Sequence, residues 1–297
     1  MKIRLRYLSG IAIAVACTAA AIFLFDWSSI GATFRNVRLG FLAGSGFGLL
    51  IAASVLRGLR WLVMLGLPLT PAAIAWSALA NGAAAGLGSV TPMKIGEALK
   101  IRLGPGAGQV GWQPGVSAFM VERGLDLSGV IGVLLGGLVA HAGHAWAMPL
   151  LLLAPIPSGL LLVLFSTHLH WLPWRMRPFL VVFGQRRRVF IASVLTVPLW
   201  LLNLGLWWCA AAAINVRLGF SGISILLGSV VLASVASMAP SGLGILELGT
   251  RGIMLWLGFS VGDAEGVAVG LRLLTPLLVT FGLVCVAPLA LRRKFSG

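Results

Sequence analysis

Long apolar runs separated by short polar clusters dominate this chain, and their length predicts transmembrane helices. An α-helix needs about 20 apolar residues to cross the hydrocarbon core of a bilayer. Six runs meet that requirement: Leu8–Phe25, Leu39–Leu56, Val116–Ala140, Trp146–Phe165, Val189–Ala213 and Val267–Leu291. The pattern therefore predicts an all-α polytopic membrane protein, with six full transmembrane helices in a single integral-membrane domain over residues 1–297.

Two further apolar regions, about 71–103 and 221–257, are interrupted by proline, glycine and charge. The first contains "GSVTPMKIGEALKIRL" and the second "ASMAPSGLGILELGTR". When Pro92 and Pro240 are aligned, Gly96 matches Gly244, with Glu97 one residue after the first glycine and Glu247 three residues after the second. This degenerate internal repeat predicts two broken, re-entrant helical hairpins in an inverted pseudo-repeat.

Each break has a local physical reason. Pro92 and Pro240 are expected to end one half-helix, and Gly96, Gly242 and Gly244 to permit a tight turn before the next. The N-terminus of that second half-helix would present free N–H groups that favour a phosphate or a carboxylate. The alternative is an ordinary kinked span in each region, because proline and glycine are common in membrane helices.

Composition supports the membrane assignment and limits the partners. Hydrophobic residues make up 59% of the chain, charged residues 10%, and the mean hydropathy is +1.02. The net charge of +15 lies mostly between apolar runs, which favours anionic lipid headgroups over nucleic acid as the partner. The three cysteines lie far apart inside apolar runs, so neither a disulfide framework nor a metal site is predicted.

The distribution of Lys and Arg predicts the orientation, because cytoplasmic loops carry an excess of these residues. If the six spans alternate and each broken region returns to its side of entry, 13 basic residues of the loops and tails fall inside and 3 outside. Both termini are then cytoplasmic in the cell (inner) membrane, and the two hairpins open to opposite sides. The first run also resembles a signal peptide, but we expect it to be an uncleaved span.

Three charged residues stand at the start of the third span, in "VERGLDLSG". Glu122 and Asp126 are four residues apart and share one helical face, with Arg123 beside them. Because an isolated carboxylate in a bilayer is costly, this face should point inward and find a cation. Candidate partners are Arg272, Arg57 and Arg60, and a purely structural ion-pair network remains the alternative.

Five of these motifs occur together in a family that the chain resembles. They are "LRGLRWLVML", "TPMKIGEALK", "VERGLDL", "APSGLGILELG" and "LRLLTPLL", and the family is the flippase-like membrane domain family related to the transmembrane region of lysylphosphatidylglycerol synthases. The resemblance implies an inner-membrane protein that moves or handles lipids, as a membrane module that does not itself aminoacylate lipid. Met93-Lys94 departs from the Gly-rich turn usual in the family.

These observations predict a lipid translocase with a polar cavity between the two hairpins, without a cofactor and without enzymatic activity. Gly242 and Gly244 would shape the site. The substrate would be an anionic or a polyprenyl- or hopanoid-type lipid. Carboxylates would orient it or couple its movement to protons: Glu97, Glu122, Asp126 and Glu247. Cations would bind its phosphate: Arg57, Arg60, Lys94, Arg123 and Arg272. One alternative is a membrane enzyme that acts on lipid-linked sugars, or a subunit that partners such an enzyme. The other is a non-transporting membrane scaffold.

Overall fold

A computed structural model describes residues 20, 22–35, 37–104, 111–167, 179–237 and 242–295, and the regular elements within these ranges are all helices. The α-helices are α1 (Trp27–Arg35), α2 (Leu39–Leu65), α3 (Pro71–Val90), α4 (Lys100–Leu103), α5 (Trp112–His141), α6 (Met148–Leu152), α7 (Pro155–Thr167), α8 (Arg186–Ala213), α9 (Phe220–Ser237), α10 (Ile245–Trp256), α11 (Val261–Gly270) and α12 (Leu274–Phe295). Short 3₁₀ segments cover Pro92–Leu99, Ala145–Ala147 and Leu271–Leu273.

Six helical stretches of the described chain are long and apolar enough to cross a membrane: Leu39–Leu65, Pro71–Val90, Trp112–His141, Ala145–Ser166, Arg186–Ala213 and Val261–Ala290. Five correspond to predicted spans. The predicted span Leu8–Phe25 lies almost entirely outside the described residues. The sixth stretch is Pro71–Val90, which was predicted as half of a broken region and is instead an uninterrupted helix of 20 residues.

The first broken region folds back on itself after α3. Thr91 is extended, Pro92 follows it, and residues 92–99 then form the 3₁₀ segment. A Cβ atom on Gly96 would lie only 2.7 Å from the Leu87 carbonyl carbon, so the 3₁₀ segment runs back along α3. The prediction for Gly96 was therefore wrong, because it provides close packing and does not make the turn.

The returning chain ends near the point where α3 begins. A Cβ atom on Gly104 would lie 3.0 Å from Nε1 of Trp61, which belongs to the last turns of α2. A connection of only five residues joins the end of α2 at Leu65 to the start of α3 at Pro71. The first hairpin, residues 71–104, therefore begins and ends at one end of the helix bundle.

The second broken region has the same form. Gly242 and Gly244 have φ values of +59° and +76° and precede α10, so the predicted glycine turn is confirmed, whereas Pro240 lies outside the described residues. A Cβ atom on Gly222, near the start of α9, would lie 3.6 Å from Leu257, which follows α10. The second hairpin, residues 220–257, thus also begins and ends at one end of the bundle.

Helix α5 shows that these two ends are opposite. At its start, Gly115 packs against Ile101 at the end of the first hairpin. At its last residue, His141 contacts the ring of Trp256 in the second hairpin, with 5.0 Å between ring centroids. The open ends of the hairpins therefore lie at opposite ends of α5, while re-entry of either hairpin into a bilayer stays a prediction.

Small residues allow α3 to pack closely between α2 and α12. A Cβ atom on Gly58 of α2 would lie 2.8 Å from the Ala78 backbone, and one on Gly86 would lie 2.7 Å from the Gly282 Cα atom. In lipid, where helices have no hydrophobic driving force to associate, such close backbone approach supplies the van der Waals contact that holds them. The first hairpin is thus held on two sides.

Candidate functional site

Arg60 of α2 is the centre of an ion-pair network at the first hairpin. It donates hydrogen bonds to Glu122 at 2.5 Å, to Asp126 at 2.7 Å and to the Thr196 hydroxyl at 2.9 Å. Arg60 and Glu122 are each only 1% exposed. The predicted inward face of Glu122 and Asp126 is confirmed, and of its three candidate partners the structure selects Arg60.

Lys100, which was not predicted as a site residue, is the second cation that neutralises Glu122. Its ammonium donates to Glu122 Oε2 and, at 3.4 Å, to Asn81 Oδ1. The same nitrogen lies 5.1 Å from the centroid of the Trp61 ring and 5.5 Å from that of Phe119. Lys100 is 2% exposed, so this ammonium lies almost entirely within the protein.

Arg123 joins the network to the returning limb of the first hairpin. Its guanidinium lies 2.8 Å from Glu97 and 2.9 Å from Asp126. Arg123 is 33% exposed, much more than Arg60. The network contains three cations and three carboxylates, namely Arg60, Lys100, Arg123, Glu97, Glu122 and Asp126, and is neutral as a whole.

A second ion pair lies at the second hairpin. Arg272, which follows α11, binds both carboxylate oxygens of Glu247 in α10, with Nη2 to Oε2 at 2.8 Å. The same Nη2 donates to the carbonyl of Gly242 at 3.1 Å, which ties the glycine turn to this pair. The candidate pairing of Arg272 with Glu122 and Asp126 was therefore wrong, because the fold places Arg272 against the other hairpin.

Glu265 is buried, as Glu122 is, but the sequence analysis did not predict a role for it. It is 1% exposed, lies 2.9 Å from Nε of Arg251 and accepts the backbone N–H of Asp26 at 2.8 Å. The Phe25 ring lies 5.9 Å from the Arg251 guanidinium. Glu265 thus joins α10, α11 and the segment that leads into α1.

The two hairpins carry matching sets of ion pairs. In the first, limb residues Glu97 and Lys100 pair with Arg123 and Glu122 of the following helix. In the second, limb residues Glu247 and Arg251 pair with Arg272 and Glu265 of the chain that follows. Extending the sequence alignment one helical turn beyond each glutamate would have found Lys100 and Arg251.

Glu97 and Glu247, which were predicted to share one polar cavity, are each paired with an arginine of their own half. Their described partners, Arg123 and Arg272, belong to different ion-pair sets at the two hairpins. The described contacts therefore favour two separate polar clusters over one shared cavity.

Arg57 differs from the other predicted cations. Within the described chain it has no hydrogen-bond or ion-pair partner. It lies on the buried face of α2, four residues after Ala53 and four before Trp61, both of which are buried. Arg57 itself is only half-buried, so part of this cation remains accessible on an inward-facing helix surface. The side chain of Lys94 is outside the part of the chain that the structure describes.

Residues 9–282 match the family model described as "Lysylphosphatidylglycerol synthase TM region". The chain belongs to this family. Membership, together with the apolar helices, makes it a multi-pass membrane protein with a lipid-related function. The family match covers both hairpins and both sets of ion pairs. No curated protein and no solved structure matches the chain.

Proposed function

We propose that this protein is a flippase-like lipid translocase and that Arg57 binds the phosphate of the lipid headgroup. The observation that carries the proposal is the contrast between Arg57 and the other inward cations. Arg60, Lys100 and Arg123 are each held by carboxylates, whereas Arg57 has no such partner among the described residues. A cation without a counter-charge on an inward surface favours an anionic ligand.

The geometry of an arginine suits this role. A guanidinium presents several N–H donors in a fixed plane, which match the oxygen atoms of a phosphate. The charges of the neighbouring network cancel among themselves, so no described carboxylate offsets the charge of Arg57. A phosphate bound there would restore neutrality on the buried face of α2.

The arrangement of the hairpins supports movement between the two leaflets. The proposed topology has both termini in the cytoplasm and two re-entrant hairpins that form an inverted repeat. Arg186 and Arg187 are exposed at the start of α8, and the neighbouring Arg188 guanidinium packs over Gly66 at the end of α2. The open end of the first hairpin lies at this basic end, which the positive-inside rule assigns to the cytoplasm.

The first prediction concerns Arg57→Gln, which removes the charge and keeps a polar side chain of similar length. In nanodiscs that contain phosphatidylglycerol, we expect bound lipid, measured by native mass spectrometry, to fall at least tenfold, because the phosphate loses its cation. Transport of a fluorescent anionic lipid in proteoliposomes should fall with it. The melting temperature should be nearly unchanged, since Arg57 has no described partner to leave unpaired.

Arg102→Gln is the matched control, because it removes the same charge from an exposed position on α4. This variant should bind and transport lipid as the unmodified protein does. Equal lipid binding by both variants and the unmodified protein would contradict the proposal and favour a scaffold without a lipid site at Arg57.

A further inference from the structure

The surroundings of the Lys100 ammonium are those of a binding site for an amine. Two aromatic rings, Trp61 and Phe119, face the nitrogen, while Glu122 and Asn81 accept its hydrogen bonds. Aromatic faces with a carboxylate are the side chains that recognise organic ammonium ions in proteins. We call these four residues the Lys100 pocket.

We infer that the Lys100 pocket is an amine site which the chain fills with its own lysine, and which the primary ammonium of a lipid headgroup occupies when Lys100 withdraws. The inference rests on the proposed lipid function and specifies the headgroup chemistry. In the absence of lipid, the Lys100 ammonium occupies the position that we assign to the substrate amine.

The charges around the pocket require a cation there. Without Lys100, the network keeps two cations, Arg60 and Arg123, and three carboxylates. Glu122 is 1% exposed, so water cannot replace the missing cation at low cost. The Asn81 amide is oriented by its own donor, which bonds the Ser77 carbonyl at 2.9 Å, and its oxygen is therefore directed to the ammonium in the pocket.

The backbone that carries Lys100 is suited to movement. The residue begins α4, which has only four residues, and α4 follows a 3₁₀ segment of eight residues. Runs of 3₁₀ helix longer than three or four residues are uncommon, because their hydrogen-bond geometry is poorer than that of an α-helix. Rearrangement of this limb would withdraw the lysine without unfolding the long helices that form the rest of the pocket.

The position of the pocket selects a headgroup with an ammonium close to a phosphate. Trp61 stands four residues after Arg57, so the two side chains are neighbours on one face of α2. A phosphoethanolamine-type headgroup could place its phosphate at Arg57 and its ammonium in the pocket. Primary ammonium is favoured over quaternary, because only the former can donate hydrogen bonds to Glu122 and Asn81.

The second prediction is chemical rescue of Lys100→Ala in detergent. This variant should melt several degrees below the unmodified protein, and ethylammonium chloride should recover part of that loss by binding the emptied pocket. Sodium chloride and tetramethylammonium chloride at equal concentration should recover much less. Arg102→Ala, which empties an exposed position of the same short helix, should show no specific response to ethylammonium. Equal recovery by all three salts would overturn the inference.

If Lys100→Ala fails to fold, amine labelling of the unmodified protein provides the test. The chain has four lysines, at positions 2, 94, 100 and 294, so a labelled site is readily assigned by mass spectrometry. With reagent in excess over total amine, Lys100 should be modified at least threefold more in nanodiscs with phosphatidylethanolamine than in those with phosphatidylcholine or phosphatidylglycerol. Soluble phosphoethanolamine added to phosphatidylcholine nanodiscs shows whether the occupant must be a lipid. If it raises the labelling of Lys100 as phosphatidylethanolamine does, a free amine can occupy the pocket; if only phosphatidylethanolamine raises it, the occupant is a lipid. Labelling of Lys100 that is the same in every lipid would overturn the inference.

These outcomes are separable from the proposed function. Failure of ethylammonium rescue, with the Arg57→Gln effect intact, removes the amine site and leaves an anionic lipid translocase. Loss of the Arg57→Gln effect, with rescue intact, removes the phosphate site and leaves an amine pocket.

Discussion

At the scale of single residues, the charges buried at the first hairpin are costly to fold. Arg60, Lys100 and Glu122 are each at most 2% exposed. Burying an ion is unfavourable unless a counter-charge and hydrogen bonds replace its water. Glu122 meets this condition by accepting from two cations at once, which makes it the residue on which the network depends.

The third prediction is that Glu122→Gln destabilises the folded protein by about 3–5 kcal/mol, because it leaves Arg60 and Lys100 without their shared counter-charge. The measurement is the shift in denaturant or thermal unfolding of the detergent-solubilised protein. Asp263→Asn, at an exposed carboxylate in the first turn of α11 that accepts a hydrogen bond from the Ser260 hydroxyl, is the control and should change stability little. Equal stability of Glu122→Gln and the unmodified protein would show that this network does not hold the fold.

At the scale of elements, close packing between helices holds the first hairpin. Helix α3 contacts α2 through Gly58 and α12 through Gly86 and Gly282. At these points backbone meets backbone, so no flexible side chain can move aside for an added atom. The packing at these points therefore leaves no room for a larger residue.

The fourth prediction concerns Gly86→Ala, whose added methyl would lie 2.7 Å from the Gly282 Cα atom and 3.0 Å from the Leu278 carbonyl oxygen. It should destabilise the protein by about 1–3 kcal/mol, as overpacking does in well-packed cores. Gly48→Ala is the control, because it makes the same exchange within a helix where nothing lies within 4 Å of the new atom. Thermal unfolding in detergent compares the two variants, and equal shifts would contradict close α3–α12 packing.

At the scale of the whole molecule, the two hairpins carry similar sets of ion pairs, and their open ends lie at opposite ends of α5. Each limb carries a carboxylate and, one turn later, a cation, and each pairs with the chain that follows. In the proposed topology one half opens to the cytoplasm and the other to the outside. Paired broken elements of this kind are the usual framework of alternating access in transporters.

The fifth prediction tests that topology with single cysteines in a background without Cys17, Cys209 and Cys285. A cysteine at position 187 should react with a membrane-impermeant thiol reagent only when the cytoplasmic side is exposed. A cysteine at position 143, in the loop after α5, should react from outside in intact cells. The reverse pattern at either position would invert the proposed orientation.

Several features of this fold followed from the sequence alone because they depend on local properties. The length of an apolar run determines whether its helix can cross a membrane, and proline and glycine determine where it breaks, as at Pro92, Gly242 and Gly244. The spacing of Glu122 and Asp126 placed both carboxylates on one inward face, because four residues make about one helical turn.

The choice of ionic partners was decided only by the tertiary structure. Arg272 was one of three candidate partners of Glu122 but binds Glu247, and the buried residues Lys100 and Glu265 were not predicted as partners. Helical periodicity places a charge on a face, but it does not determine which helix packs against that face. That choice depends on contacts between residues distant in the chain, such as Gly86 with Gly282, whose close approach brings helices together irrespective of the charges they carry.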